Sequence, residues 1–402
     1  MKIFIVILVI VLVSELALLN DNCNCQWVQI PTGMGTNQSV SSLVNKSGTI
    51  YAGTNSYGLY STANSGANWG QNGLFNYPIW SIGIAGNNLL AGTAGSGIMV
   101  STNNGSSWFN SSLTSRTALS FVISGANIYC GTEQYGIYLS SNQGVNWIAA
   151  NFNSQSVTSL TSLGSVIYAG TYGQGVFKSA MTGSGWVQTS LNNKDVISLA
   201  VSDPYIFAGT VSNGVYVTTN EGLNWAQTSL NNKNINCLGI TGSNIFAGTD
   251  TSGVYLSTNY GNTWQNISSG LGSVQSVKTL LIANGYVFAG TPGNSVWRRP
   301  LSEVIGIQNI SSEVPSSYSL GQNYPNPFNP TTVIRFQIPK AGQVSLKVYD
   351  VSGKLMMTLV NEYRQADFYD VSFDGSGLSS GVYFYKLSAE GFTETKRMVL
   401  LK

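Results

Sequence analysis

Two carboxylates lie at equivalent positions of the sequence and could act as an acid–base pair. Glu133 and Asp250 each follow a Gly-Thr pair, which ends at Thr132 and at Thr249. Paired carboxylates hydrolyse glycosidic bonds when they stand roughly 5 to 9.5 Å apart. The chain contains no histidine, so the commonest general base and the commonest metal ligand are both missing. A glycosidase is therefore the enzyme class to test, and we expect no metal and no cofactor.

The elements that would position these carboxylates are repeated along the chain. Ala-Gly-Thr, or Cys-Gly-Thr at Cys130, begins at residues 52, 91, 130, 169, 208 and 247 in steps of 39, and again at 289 after a step of 42. Tryptophan recurs in the same steps from Trp69 to Trp264. Each unit contains four short runs of alternating apolar residues, which are typical of strands. Four strands in about 40 residues indicate a propeller blade, so we predict an all-β fold with a seven-bladed β-propeller.

The ends of the repeated region predict how the ring closes. Trp27 precedes the first Ala-Gly-Thr, whereas no fourth strand follows Trp297 in the last unit. We therefore expect the N-terminal strand to complete the blade formed by residues 277 to 299. Glu133 and Asp250 then lie three blades apart, with an estimated gap beyond about 10 Å, too wide for either glycosidase mechanism. Cys130 and Cys237 fall in separate repeats and are expected to be buried and unpaired.

A second motif lies between the third and fourth predicted strands. It reads Ser101-Thr102-Asn103-Asn104-Gly105-Ser106-Ser107-Trp108 and recurs at residues 140–147, 218–225 and 257–264. This segment resembles the Asp-box, or bacterial neuraminidase repeat, Ser-x-Asp-x-Gly-x-x-Trp, with Asn103, Asn142, Asn220 and Asn259 in place of the aspartate and Met181 interrupting one further copy. The resemblance implies a propeller fold and not an activity, and the motif residues are expected to build turns. Sialidases with this repeat use three arginines, and the propeller offers only Arg116, Arg298 and Arg299, so we expect no sialidase.

The loops after the second strand and before the first strand of each blade form the face on which propellers usually bind ligands. The candidate ligand-binding residues there are Tyr57, Trp80, Glu133, Tyr135, Tyr172 and Asp250, and the same loops contain Phe75, Tyr77, Arg116 and Phe152. Aromatic groups among neutral hydrogen-bonding groups could bind a glycan or a protein. A net charge of +2 with 8% charged residues offers no stripe for phosphates, which excludes nucleic acid. A glycan-active hydrolase of the Asp-box type and a rigid spacer without ligand are the alternatives.

The two ends of the chain predict export. Lys2 and the apolar run from Ile3 to Val13 are typical of a secretory signal, and this run is too short to span a membrane. We assign residues 1–22 to a signal peptide, 23–300 to the propeller, 301–319 to a linker and 320–402 to a second domain. Six predicted strands between Val333 and Leu400 indicate that this domain is a small antiparallel Ig-like β-sandwich.

The second domain carries the most specific motifs of the sequence. It opens with three prolines in the segment 323–330 and continues with the motifs 348–354, 378–383 and 396–399. Together these closely resemble the type A C-terminal sorting domain of the type IX secretion system. The residues that match this sorting signal are Asn323, Tyr324, Pro325, Asn326, Pro327, Phe328, Asn329, Pro330, Gly381, Tyr383 and Lys396.

The resemblance implies a route and a destination. It implies a Bacteroidetes-like source, passage through the periplasm, recognition by an outer-membrane translocon and removal of the domain by a sortase-like protease. The sequence therefore predicts a monomeric, non-catalytic propeller that is secreted or displayed on the cell surface and binds a protein or a glycan through its loop face.

Overall fold

A computed structural model describes residues 26–152, 155–180, 183, 185–305, 317–364 and 367–401. The predicted signal peptide, Cys23, Cys25, Met181 and residues 306–316 of the predicted linker lie outside the described residues. The chain divides into two compact units, Met1–Gln308 and Asn309–Lys402. Among the helices that the structure describes, none is long and apolar enough to cross a membrane.

In its described part the first unit contains seven four-stranded antiparallel sheets, each of which is one blade. The first three blades consist of β2 (Val40–Lys46), β3 (Thr49–Thr54), β4 (Gly58–Thr62) and β5 (Gly70–Gln71); β6 (Ile79–Ala85), β7 (Asn88–Thr93), β8 (Ile98–Ser101) and β9 (Phe109–Asn110); and β10 (Ala118–Ser124), β11 (Asn127–Thr132), β12 (Gly136–Ser140) and β13 (Ile148–Ala149). The next three consist of β14 (Val157–Leu163), β15 (Val166–Thr171), β16 (Gly175–Ala180) and β17 (Val187–Gln188); β18 (Val196–Ser202), β19 (Tyr205–Thr210), β20 (Gly214–Thr218) and β21 (Ala226–Gln227); and β22 (Ile235–Thr241), β23 (Asn244–Thr249), β24 (Val254–Ser257) and β25 (Gln265–Asn266).

The seventh blade combines both ends of the propeller. It contains β26 (Thr279–Ala283), β27 (Tyr286–Gly290), β28 (Val296–Pro300) and, at its outer edge, the N-terminal strand β1 (Val28–Gln29). The innermost strands contact each other in the cyclic order β2, β6, β10, β14, β18, β22, β26 and back to β2. The sheets therefore form a closed ring, and the prediction of a seven-bladed propeller is confirmed.

The longer last step of the repeat accommodates the N-terminal strand. Its three extra residues fall between Trp264 and Val277, and Trp27 donates from its backbone N–H to Ser269 O in this segment at 2.9 Å. Gly270 has a φ of +98°, and a Cβ atom there would stand 2.5 Å from the Trp27 backbone nitrogen. A glycine is needed at this position because no side chain fits against the incoming strand.

The Ala-Gly-Thr repeat builds the contact between neighbouring blades. In the first copy Ala52 is fully buried, and a Cβ on Gly53 would stand 2.6 Å from Ile79 Cγ2 of the next blade. Thr54 is also fully buried, and its hydroxyl donates to Gly58 O at 2.9 Å. The equivalent threonine bond is present in each of the seven blades as described. The repeat thus packs the sheets and ties the turn between the second and third strands.

The motif between the third and fourth strands forms a hydrogen-bonded turn. Ser101 Oγ accepts from the Gly105 N–H at 2.8 Å, and Asn103 Oδ1 accepts from the Ser107 N–H at 2.9 Å. Gly105 has a φ of +91°, which favours glycine. The same pair of bonds occurs at residues 62–69, a copy that the sequence analysis did not include although its spacing fits the motif. These turns lie at the end of each blade opposite the predicted ligand loops, and we call them the turn face.

The second unit is a β-sandwich. One sheet has the order β29 (Ser319–Leu320), β30 (Thr331–Ile338) and β33 (Asp367–Asp374). The other has the order β32 (Leu355–Arg364), β31 (Gly342–Tyr349), β34 (Gly381–Ala389) and β35 (Phe392–Leu400). Alternate side chains of both sheets, such as Phe336 and Leu346, share one core. All six predicted strands are present, whereas the two-residue β29 was too short to be predicted.

Two further features complete the described fold. The short helix α1 (Leu301–Ile305) follows β28 and buries Val304 in the same core as Trp27. Cys130 and Cys237 are buried and unpaired, as predicted, and burial raises the pKa of both thiols, that of Cys237 to about 12.

Candidate functional site

A ring of seven side chains surrounds the mouth of the central channel. In each of the first six blades the innermost strand has a β-bulge at its second residue, and a bulge redirects the side chain that it displaces. The equivalent residue of the seventh blade immediately precedes β26. These seven residues line one cavity of about 430 Å³. We call them the mouth ring: Ser41, Trp80, Leu119, Thr158, Ile197, Asn236 and Lys278.

The mouth ring varies where the surrounding structure repeats. No two of its seven members are the same residue type. The residue immediately before each ring member is instead always a buried aliphatic one, as Val40, Ile79, Ala118, Val157, Val196, Ile235 and Val277 show. The scaffold therefore presents seven different side chains to one cavity from seven equivalent positions.

Three polar members of the ring donate hydrogen bonds to the next blade. Ser41 Oγ donates to Ile79 O, and Thr158 Oγ1 donates to Val196 O. Asn236 Nδ2 donates to Val277 O at 3.1 Å. These bonds fix the three side chains against the backbone at the channel mouth.

The charged member of the ring belongs to a small network. Lys278 Nζ lies 3.0 Å from Asp250 Oδ1, which also accepts from Ser276 Oγ at 3.2 Å and from Asn236 Nδ2 at 3.4 Å. The hydrogen bond and the charge of Lys278 lower the pKa of Asp250 below its usual value. Asp250 is therefore an ionised, paired carboxylate at neutral pH.

The predicted ligand-binding residues fall into two groups. Trp80 lies in the cavity wall and is 46% exposed, and Asp250 contacts the ring through Lys278. The others are exposed in the loops between the second and third strands, outside the cavity wall: Tyr57 in the first blade, Glu133 and Tyr135 in the third, and Tyr172 in the fourth. Backbone bonds such as Tyr172 N to Ser156 O at 3.0 Å hold these loops beside the innermost strands.

Phe152 lies in the loop before β14, as predicted, but its side chain faces the core. Phe152 is only 8% exposed and packs against Phe177 and Trp186, with ring centres 5.0 and 5.2 Å away. It is a core residue and not a ligand-facing loop residue. Arg116 lies on this face as predicted, with its guanidinium 3.8 Å from the ring centre of Tyr135.

Six members of the mouth ring were missed by the sequence analysis. The signal was present, because stepping by 39 residues from Trp80 reaches Ser41, Leu119, Thr158, Ile197 and Asn236. Lys278 needs the longer last step of the repeat.

The two carboxylates of the predicted pair belong to different blades. Glu133 follows β11 in the third blade, and Asp250 follows β23 in the sixth. Among the residues that the structure describes, no group of three or more His, Cys, Asp or Glu side chains could hold a metal ion. The site at the channel mouth is therefore built from neutral groups and one ion pair.

The proline-rich opening of the second unit is fixed by buried polar contacts. Asn323 is 1% exposed, and its side chain donates to Pro325 O at 3.0 Å and to Thr332 Oγ1 at 3.1 Å. The Tyr385 hydroxyl accepts from the Asn323 N–H at 2.8 Å and donates to Gly321 O at 2.8 Å. Burial raises the pKa of Tyr385 to about 12, so this bridge persists at physiological pH.

The remaining sorting-signal residues have different environments. Tyr324 is 82% exposed, and Pro325, Asn329 and Gly381 are also exposed. Asn326 Oδ1 accepts from the Val399 N–H at 2.9 Å, and Phe328 is buried against Phe373. The Tyr383 hydroxyl donates to Ser379 O at 2.8 Å, and Lys396 lies 3.5 Å from Glu394. Pro327 is exposed, whereas Pro330 is half-buried.

Comparison with known families identifies the second unit. Residues 322–401 match the family described as Secretion system C-terminal sorting domain. The predicted type IX sorting domain is thereby confirmed, and the protein is exported to the cell surface or secreted by that machinery. A search of curated proteins gives no match.

Solved structures similar to this chain are β-propellers. The GH74 xyloglucanase from Xanthomonas campestris is 14% identical with a TM-score of 0.57, over 69% of this chain and 54% of that enzyme. YCF48 bound to D1 peptide is 14% identical with a TM-score of 0.55, over 68% of this chain and 96% of that chain. YCF48 from Cyanidioschyzon merolae is 14% identical with a TM-score of 0.54, over 68% and 98%. This chain thus spans about half of the xyloglucanase, and these similarities show the fold alone.

Proposed function

We propose that this type IX cargo is a non-catalytic propeller that binds a protein or a glycan at the cavity on its loop face. One observation carries the proposal: seven equivalent positions in a repeated scaffold present seven different side chains to a single cavity. A fold that needed this position only for packing would fill it with similar residues, as it does at the preceding aliphatic position. A cavity of this size, with mixed apolar and polar walls, is typical of ligand sites.

The electrostatics of the loop face favour binding over hydrolysis. A glycosidase acid needs a raised pKa, so that it carries a proton at neutral pH. The pKa of Asp250 is instead lowered by Lys278, which excludes it as the acid and fits only the ionised second carboxylate. The predicted partner Glu133 belongs to a blade three positions away, which separates the two groups too widely for a catalytic pair. The xyloglucanase shares the fold, as does YCF48, whose structure contains a bound peptide. The second of these supports the idea that a propeller of this fold can bind a peptide.

A variant that fills the channel mouth tests the proposal. Leu119→Arg adds a long charged side chain to the cavity wall, whereas Phe109→Arg adds the same group at an exposed position of the outer strand β9. The full chain and both variants would be assayed against a panel of polysaccharides, cell-wall fractions and peptides. We expect Leu119→Arg to weaken binding at least about tenfold and Phe109→Arg to leave it unchanged. Hydrolysis of a panel member that is lost in both Glu133→Gln and Asp250→Asn would instead favour the hydrolase.

We further propose the assignments at the ends of the chain. Residues 1–22 act as a cleaved signal peptide. The linker predicted at 301–319 is shorter than that range, because α1 packs Val304 into the propeller core and β29 begins at Ser319. The segment 323–330 with Gly381, Tyr383 and Lys396 acts as the signal that an outer-membrane translocon reads before a sortase-like protease acts. Tyr324, Pro325, Pro327 and Asn329 are exposed members of this segment that a receptor could contact directly, and Tyr324 is 82% exposed. Deletion of residues 320–402 should leave a folded propeller in the periplasm. Cell fractionation measures where the truncated chain is found. Unchanged delivery to the cell surface would disprove the sorting role.

A further inference from the structure

Three side chains of the cavity wall, Ser41, Thr158 and Asn236, already use their donors on neighbouring groups. The hydroxyl protons of Ser41 and Thr158 are directed to backbone carbonyls of the next blade, and Asn236 uses its amide nitrogen on Val277 O and Asp250 Oδ1. A hydroxyl that donates its proton keeps lone pairs that can accept. The three side chains are therefore prepared to receive hydrogen bonds from a ligand rather than to give them.

The cavity is also electrically neutral. Lys278 is the charged residue among those lining the cavity, and the carboxylate of Asp250 lies 3.0 Å from its ammonium group. An anionic ligand would have to compete with Asp250 for Lys278, and it would face acceptors at the three side chains whose donors are already in use. A cationic ligand would face the ammonium group. The wall therefore favours an uncharged ligand with many donors.

An aromatic surface stands beside these acceptors. Trp80 is almost half exposed, and Asn55 and Pro292 lie with it in the cavity wall. An indole ring provides a flat apolar surface of large contact area. A pyranose ring has the matching shape, because its C–H face is apolar while its edge carries hydroxyl donors. The cavity volume of about 430 Å³ is within the usual range for small-molecule sites.

We infer that the mouth ring holds an uncharged, hydroxyl-rich sugar residue stacked on Trp80, with Ser41 and Thr158 accepting from its hydroxyls. This inference rests on the proposed function, because it names the ligand of the same cavity. It specifies a neutral glycan as the ligand and excludes sialylated or uronate-containing chains. A peptide ligand is the outcome that would contradict it.

An array of three probe classes tests the inference. The full chain would be applied to neutral gluco-, galacto- and manno-oligosaccharides, to sialylated and uronate-containing oligosaccharides, and to a peptide library. We expect binding to members of the neutral class, weakened at least about tenfold by Trp80→Ala and only partly by Trp80→Phe. Thr158→Val preserves the shape and removes an acceptor, so it should weaken binding several-fold. Phe109→Ala, which removes an exposed aromatic ring from an outer strand, should have no effect.

The outcomes separate this inference from the proposed function. Binding of acidic glycans or peptides that is lost in Leu119→Arg would support the cavity as the binding site but contradict the inference that its ligand is a neutral sugar. Failure of every neutral oligosaccharide to bind would also contradict that inference. If instead Leu119→Arg left the binding of every probe unchanged, the proposed function itself would fail. Thermal unfolding of each variant shows that a loss of binding is not a loss of fold.

Discussion

The turn face of the propeller repeats the same residues and hydrogen bonds, whereas the loop face carries different side chains at equivalent positions. On the turn face, the hydroxyl of Ser or Thr accepts from the glycine N–H of the motif at 2.8 to 3.1 Å in five described copies. On the loop face, equivalent positions carry seven different side chains around one cavity. Repetition therefore identifies what the fold requires. In the proposed function, the position that varies around the cavity is the one that serves a ligand.

Tryptophan offers the largest contrast between the faces, because the same residue type has a different role on each. Trp147 is 8% exposed, packs near Phe121 and donates from Nε1 to Gly144 O at 2.8 Å. We expect Trp147→Ala to lower the free energy of unfolding by about 3–5 kcal/mol without changing ligand specificity. Trp80→Ala should lower it by less than about 1 kcal/mol and abolish most binding. Denaturant titration and a binding assay on both variants measure the two effects, and equal destabilisation by both would remove the distinction.

Sequence periodicity predicted the repeated features well. The Gly-Thr pairs, the tryptophans and the alternating runs are local patterns, and they located the blades and the strands of the sandwich. The mouth ring was missed because a bulge changes which way a side chain points, and alternation along a strand does not reveal it. The ion pair of Asp250 and Lys278 was missed because it joins neighbouring blades across the irregular step of 42 residues.

Phe152 shows how the repeat could have been used more fully. It occupies the same position in its repeat as Leu113, Leu191 and Leu230, which are all buried. An aligned set of repeats would have indicated a core position, whereas its place in a loop suggested a ligand contact. Burial here follows from contacts with Phe177 and Trp186 of the next blade, which only the three-dimensional ring brings close.

Asparagine gives a smaller contrast of the same kind. Asn103 Oδ1 accepts from the Ser107 N–H at 2.9 Å on the turn face, whereas Asn55 is exposed in the cavity wall. Asn103→Ala should lower the free energy of unfolding by about 1 kcal/mol, because the turn amide loses its acceptor. Asn55→Ala should change it by less than about 0.5 kcal/mol while weakening binding. A larger stability loss for Asn55→Ala would assign a structural role to the loop face.

Acid should weaken the ion pair of the loop face, and this is the smallest effect that we expect. The turn bonds accept at asparagine side chains, which do not titrate, whereas Asp250 has a pKa lowered from 3.8 chiefly by the hydrogen bond of Lys278. A lowered folded pKa means that the ion pair contributes its stability above the unfolded value of 3.8 and loses it as the pH falls through the folded pKa. Stability from this pair should therefore be constant between about pH 7 and 5 and decline below about pH 4. Because both side chains are more than one third exposed, solvent screening limits the change to less than about 1 kcal/mol.

The measurement is the free energy of unfolding against pH for the wild type and Asp250→Asn, with Glu133→Gln as a control on the same face. Below pH 4 the stability of the wild type should fall more steeply with decreasing pH than that of Asp250→Asn, which lacks the ion pair. Parallel curves for these two proteins would show that the pair contributes nothing to the stability of the fold.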